Sequence, residues 1–346
     1  MLSTRTGTVL RSIVGQYITR AIPVPSQDIA SDPNLGVSSA TVRHEMARLE
    51  QEGYITRAHP SAGSIPSDNG YRYYVESLRD VRLSPDEQRF LSHLFHQVEK
   101  ELEKWLSLAA TLLAQQVQNI AVVTMPKSTD CRLKHVELVA LQDSLALVVL
   151  VLHGAKLKQQ LVLFEQIVSQ PELAAMANKL NENYSGLTRQ KILAEDTILS
   201  STEKQLADLL IKMMRDEDVR EYAEPYLDGL HFILNQPEFT RSQNMLGLME
   251  LVEHRNLLPT IAPKKLESQQ VRVIIGKEHQ DKTFHNYSLV ISKYGIPEEA
   301  EGTVSVLGPT RMPYAHTIST VGYLASLLSG LVAVLYSKEP ADHGQS

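Results

Sequence analysis

The sequence predicts a multidomain α+β protein: a winged helix-turn-helix unit first, then an α/β sheet domain interrupted by a mostly helical insertion. Three observations predict it. The chain has 346 residues, a length that suits two or three domains with a substantial core. Its first 80 residues pass from helical periodicity into two short strand-like runs and back. Beyond residue 130, strand-like runs fall into two groups with a helical stretch between them.

Composition narrows the class. With 43% hydrophobic and 21% charged residues the chain is ordinary for a globular protein, and collagen, disorder and disulfide scaffolds do not fit. The single cysteine, Cys131, forms no internal disulfide and suits a reducing cytoplasm. A net charge of -6 and a pI near 6.1 exclude a protein that is basic all over, so contact with nucleic acid needs a local patch. Leu145–Leu152 is too short to cross a bilayer, and Tyr323–Tyr336 is interrupted by Ser326, Ser329 and Gly330, so no membrane span is expected. Residues 1–26 carry Arg5, Arg11 and Arg20 without an acid, like an organelle transit peptide. They run on into a helical unit with no small-residue cleavage signature, which argues against one.

In the first 80 residues, Val9, Leu10, Ile13, Val14, Tyr17 and Ile18 recur at three- and four-residue steps, a one-faced helix. Pro23 and Pro25 end it, Ser26 caps a short helix through Ala30, and Pro33 with Gly36 forces a turn. Ser38 caps a third helix whose inner face is Val42, Met46 and Leu49, with Gly53 as its C-terminal stop. Tyr54–Arg57 and Ser64–Ser67 flank the turn residues Pro60–Gly63 and read as a wing; Asp68 then opens a helix through Leu78. This is the layout of a DNA-binding unit spanning 1–80.

Ser84-Pro85-Asp86-Glu87 is a strong helix start, and one long linker helix is expected over 81–118. Leu133–Leu141, Leu145–Leu152 and Leu161–Val168 read as three strands that begin the sheet domain. Residues 171–234 are mostly helical, and strand-like runs return at Val271–Gly276, Tyr287–Tyr294 and Thr303–Leu307 before a buried helix at Tyr314–Tyr336. The sheet domain is therefore expected over 119–169 and 238–338, the insertion over 170–237, and a polar, frayed tail over 339–346.

The chemistry concentrates at Gly36–Met46, where Ser38, Ser39 and Thr41 crowd the start of a helix that then presents Arg43 and His44. Short hydroxyl residues let a backbone approach phosphates, and a following arginine reaches a base edge in the major groove. Arg57 and Arg72, flanking the wing, suit phosphate contacts, which position a module without specifying sequence. Residues 1–79 hold eight arginines, no lysine and seven acids, a net of +1, against -6 for the whole chain. So weak a patch on one copy binds poorly, and two copies on two half-sites repair that.

LGVSSATVRHEMARLEQEGYI at 35–55, HPSAGSIPSDNGYRYYVESL at 59–78, NQPEF at 235–239, VRVIIGKE at 271–278 and GTVSVLGPTRMPY at 302–314 together resemble the HrcA family of bacterial heat-inducible transcription repressors. The resemblance covers essentially the whole chain. It implies a winged-helix domain, a GAF-like sheet domain and an inserted dimerising domain. It also implies a cytoplasmic homodimer on the inverted-repeat CIRCE operator of chaperone operons, with a GroEL-type chaperonin helping the repressor reach its active form. The family's recognition segment falls on Ser38, Ser39, Thr41, Arg43 and His44, and its wing segment on Ser61 through Tyr73. The DNA-contacting set is then Ser38, Ser39, Thr41, Arg43, His44, Arg57, Ser61, Tyr71 and Arg72. The chain departs from the family at His44, where asparagine is usual, at Ser64, where arginine is usual, and at Asn69, where lysine is usual.

Other constellations have plainer readings. Arg311, between Pro309 and Pro313, invites an anion site, but the prolines rigidify a turn and the arginine suits a structural ion pair. A ligand-responsive regulator, its GAF-like domain holding a small effector, is the alternative function; the aliphatic strands favour a filled core. His93 with His96, and Glu278, His279 and His285, lack a full ligand set at recognised metal spacing. No phosphate-binding glycine loop, hydrolase elbow or zinc-protease helix is present. No cofactor, metal or enzymatic activity is expected.

Overall fold

The computed structural model describes residues 2–32, 35–57, 59, 62–99, 101–126, 131–153, 156–219, 225–239, 270–297 and 299–337. They are mixed helix and sheet and divide into two compact units. One unit is Met1–Met125, Glu224–Tyr294 and Gly302–Val332; the other is Pro126–Ala223, Gly295–Glu301 and Ala333–Ser346.

The first unit opens with α1 (Thr4–Arg20), capped by the Ser3 hydroxyl accepting from the Thr6 amide. Its apolar stripe, Val9, Leu10, Ile13 and Val14, is fully buried. The short α2 (Ser26–Ala30) and α3 (Ser39–Gln51) pack against it. The strands β1 (Ile55–Thr56) and β2 (Ile65–Pro66) pair antiparallel, and α4 (Asp68–Ser77) follows, capped by Ser67. Gly70 in α4 is required: a Cβ there would lie 2.3 Å from the Tyr54 carbonyl oxygen.

The expected single linker helix is two helices, α5 (Pro85–Gln97) and α6 (Leu102–Val117). Val98 turns extended, at φ -89° and ψ 145°, and Lys104 then gathers the carboxylates of Glu99 and Glu101. The apolar spacing runs straight through this bend, so periodicity could not reveal it.

The strands Leu133–Gln142 (β4), Leu145–Leu152 (β5) and Lys156–Leu163 (β6) pair with one another, antiparallel in the order β4-β5-β6. They belong to the second unit and do not join the main sheet, which corrects the expectation that they begin it. The main sheet starts earlier, at β3 (Ile120–Val123). It is completed by β7 (Tyr226–Asp228), β8 (Arg272–Ile275), β9 (Tyr287–Ile296) and β10 (Ala300–Pro309), in the order β7-β3-β10-β9-β8. The reason is physical: β3 has four residues buried on both faces, so it shows no alternation, and β7 has only three. The long meander β4-β5-β6 advertised itself instead, and it falls in the second compact unit with the helices of 170–219.

In the second unit α7 (Gln170–Tyr184), α8 (Arg189–Ala194) and α9 (Ser201–Val219) cover one face of β4-β5-β6. Val136, Leu138, Val148, Leu150, Leu180, Leu206 and Leu210 form that core. The other face is apolar too. Val139 pairs across to Leu147 and Leu147 to Leu161, and Val139, Leu141, Leu157, Leu161 and Leu163 are exposed.

Beyond α10 (Leu230–Leu234), the last helix is α11 (Tyr314–Ser337), which the first unit includes through Val332. Its Tyr314–Leu335 stretch is long and apolar enough to cross a membrane by length and composition alone. Val321, Leu324, Leu328 and Val332 are fully buried within the protein, the pattern of a core helix.

Candidate nucleic-acid interface

Helix α3 has two faces of opposite character. Inward, Val42, Met46 and Leu49 are buried with the carboxylate of Glu45, which accepts from the Thr6 hydroxyl at 2.8 Å. Outward, Ser39, Ala40, Arg43 and His44 are exposed, with Ser39 and Arg43 one turn apart. Ser38, also exposed, caps the helix: its hydroxyl accepts from the Thr41 amide at 3.2 Å and lies 3.0 Å from the Thr41 hydroxyl. The helix start therefore offers hydroxyls, free amide donors and a following cation, the groups that suit phosphate and base edges.

Four of the eight arginines through residue 79 are held by carboxylates: Arg20 by Asp28, Arg48 by Glu52, Arg57 by Glu50 and Arg72 by Glu278. Arg43 makes no ion pair among the described residues. The positive patch is thus smaller than the sequence suggested, and Arg43 is its member on the solvent face of α3.

The remaining candidates divide. Ser61 lies outside the described residues. Arg57, half-buried, donates from Nε to Glu50 at 2.9 Å. Tyr71 is 2% exposed with its ring 5.9 Å from that of Tyr314, and burial pushes its phenol well above the ordinary range. Its place in the DNA-contacting set is corrected: the side chain is part of the core and is not presented to solvent. Arg72 lies on α4 turned towards β8, donating from Nε to Glu278 at 2.7 Å and from Nη2 to the Val273 carbonyl at 2.8 Å. Its expected phosphate contact is corrected in the same way, because the guanidinium is occupied by the sheet.

Ser64, where the family usually has arginine, is fully buried. Its backbone bridges to Val24 in both directions, at 2.8 and 2.9 Å. Asn69 is exposed in the first turn of α4, so an added lysine there would reach solvent.

Sequence reasoning missed the acids that engage this head. Nothing local marks Glu45, Glu238 or Glu278 as partners, because their contacts lie 39, 73 and 206 residues away in the chain. Arg311 does take the structural role expected of it, donating from Nε to Glu238 at 2.6 Å and from Nη1 to the Ile18 carbonyl at 2.8 Å. His93 and His96 make local helix contacts, and no group of three metal-ligating side chains occurs among the described residues. Phe239, Phe284, Leu289, Ile291 and Leu307 fill the main sheet's core with Ile120 and Val122.

A small helical head with a polar outward helix precedes the five-stranded sheet. The comparisons name the family. Residues 103–318 match the family model described as HrcA protein C terminal domain. Heat-inducible transcription repressor HrcA of Dehalococcoides mccartyi (strain CBDB1) is 53% identical over 342 residues, covering 99% of each chain. The repressor of the same name from Roseiflexus castenholzii is 39% identical over 351 residues, covering 99% of this chain and 98% of its own. A crystal structure titled only as a hypothetical protein at 2.2 Å resolution has a TM-score of 0.58 at 23% identity, over 96% of this chain and 98% of that one. The chain belongs to the HrcA family of heat-inducible transcription repressors, regulators of transcription and not enzymes.

Proposed function

We propose that this repressor is a cytoplasmic homodimer that occupies an inverted-repeat operator of the CIRCE type upstream of chaperone operons. The N-terminal elements α1–α4 with the β1-β2 ribbon act as a winged helix-turn-helix, and α3 is the recognition helix. The observation that carries the reading is α3's outward face, where Ser39, Arg43 and His44 are exposed while Glu45 and three apolar residues anchor the inward face. Arg43 reads a base edge; Ser38, Ser39 and Thr41 approach the backbone; His44 touches the neighbouring base, and Arg57 and Ser61 contribute from the wing segment of the sequence.

Dimerisation follows from two supports. Few cations remain free on one head, and counterion release from a single half-site is correspondingly small. The outward face of β4-β5-β6, with Val139, Leu147 and Leu161 in register, is the apolar surface that a second copy would cover. On this reading the β4-β5-β6 unit serves as the inserted dimerising domain and the five-stranded sheet as the GAF-like domain. A monomer that bares this face exposes the kind of apolar surface that a GroEL-type chaperonin captures, which supports its role in maintaining the active fraction.

The test is fluorescence anisotropy of duplexes carrying both half-sites, one half-site, or a scrambled sequence. The reading expects the inverted repeat to bind at least about a hundredfold more tightly than a half-site with its partner scrambled. Equal affinity for all three would refute it.

A further inference from the structure

The head is tied to the main sheet at two places. On α4, Arg72 forks onto Glu278 and reaches the Val273 carbonyl on the edge strand β8, while Asp68 accepts from the Lys277 amide at 3.0 Å. Gly276 makes room for that carboxylate: it sits at φ +51°, and a Cβ would come within 2.5 Å of the Asp68 carboxyl atoms. At the end of α1, Arg311 spans Glu238 and the Ile18 carbonyl. Between the ties Tyr71 lies against Tyr314, whose hydroxyl is 2.7 Å from Ser288 Oγ and donates to the Thr310 carbonyl at 2.7 Å. Charge-assisted contacts are the directional ones: the Arg72–Glu278 fork on α4 and the Arg311 hydrogen bond to the Ile18 carbonyl at the end of α1 are on different helices, and together they fix an orientation where one would leave a hinge.

We propose that Arg72, Glu278, Asp68 and Arg311 are positioning residues that lock each reading head to its sheet and thereby set the half-site spacing the dimer accepts. This rests on the operator reading above. Spacing on DNA is a geometric consequence of how rigidly two heads are held; a locked head demands one spacing, and a loosened head accepts several. Arg72 then contributes to which operator is bound without touching it.

The test uses the full-length protein and four variants, Arg72→Ala, Arg72→Lys, Glu278→Gln and Arg311→Gln, with the double variant Arg72→Ala/Glu278→Gln. Each is titrated against inverted repeats whose spacer is changed by one or two base pairs, at three salt concentrations. Hydrogen exchange of the α4 amides is followed in parallel. The wild type is expected to lose about tenfold or more in affinity for each wrong spacing. Arg72→Ala, Glu278→Gln and Arg311→Gln should flatten that preference to within about threefold, with the salt slope unchanged and faster exchange in α4 for the first two. The double variant should match either single variant, and Arg72→Lys, which keeps a cation for Glu278, should retain more of the preference. If Arg72→Ala fails to fold, Glu278→Gln and Arg311→Gln carry the same readout.

Unchanged spacing preference in these variants, with the wild type still specific, overturns this proposal alone. So does a salt slope lowered by about one in Arg72→Ala only, the mark of a phosphate contact. A wild type indifferent to any inverted repeat overturns the operator reading and this proposal with it.

Discussion

Helices α3 and α4 belong to one head, are similarly capped by serine, and each carries an arginine that local reasoning aimed at DNA. Their circumstances are opposite. Arg43 on α3 is exposed and makes no ion pair among the described residues, whereas Arg72 on α4 is forked onto Glu278 and the edge of the main sheet. A helix pattern says which residues point away from their own small core. It does not say what stands opposite, and on α4 that was a sheet edge two hundred residues further along the chain.

The difference yields predictions, beginning with the largest. Charging the outward face of β4-β5-β6, with Val139→Glu and Leu161→Glu together, should dissociate the dimer and weaken operator binding more than about a hundredfold, since one head then holds one half-site. Sedimentation and anisotropy measure the two effects, and a binding loss without dissociation would detach the surface from the function. Arg43→Ala should cost about 1–3 kcal/mol of discrimination, roughly 5- to 150-fold between operator and scrambled DNA, while leaving the dimer intact. Survival of sequence preference in that variant would move the base-reading face away from α3.

A smaller effect is expected at Asn69, exposed beside the α4 start. Asn69→Lys should tighten binding to all sequences alike and steepen the salt dependence by about one phosphate. Paired with the flat salt slope expected of Arg72→Ala, it separates the two faces of α4. An unchanged slope in Asn69→Lys would place the whole helix away from the backbone.

The smallest concerns His279, which follows Glu278 and is 5% exposed. Its Nε2 has no hydrogen-bond partner among the described residues. Burial holds the imidazole below its ordinary range, opposed by the Tyr287 backbone and Glu278 and assisted by His285. The folded protein therefore refuses a proton that the unfolded chain accepts below about pH 6.5, so stability is lost as pH falls through that range. Thermal melts at about pH 7.5 and about pH 5.5 should differ less for His279→Gln than for wild type. An equal difference would mean that this ring takes no part in the acid sensitivity.

How far the sequence could be read follows from the range of the interactions. The head was legible in element order because its three longer helices carry local caps: Ser3, Ser38 and Ser67 all accept from amides three residues on, whereas α2 starts at Ser26 behind Pro25 with no side-chain cap. The outward face of α3 was legible for the same reason, since Val42, Met46 and Leu49 define the inward one. The main sheet was not, because β3 and β7 are short and give no period, while β4–β6 alternate strongly in a different unit. Tyr71 and Arg72 were misjudged because what covers them, Tyr314 and Glu278, comes from elements far along the chain.

The most direct measurement is a footprint of the purified protein on the DNA upstream of the host's own chaperone operons, repeated with Arg43→Ala at the same several salt concentrations. The account predicts two protected half-sites of opposite orientation, centred about ten base pairs or a multiple apart, fading together as salt rises and absent in the variant. Protection of a single stretch without dyad symmetry, or the same footprint from both proteins, would contradict it.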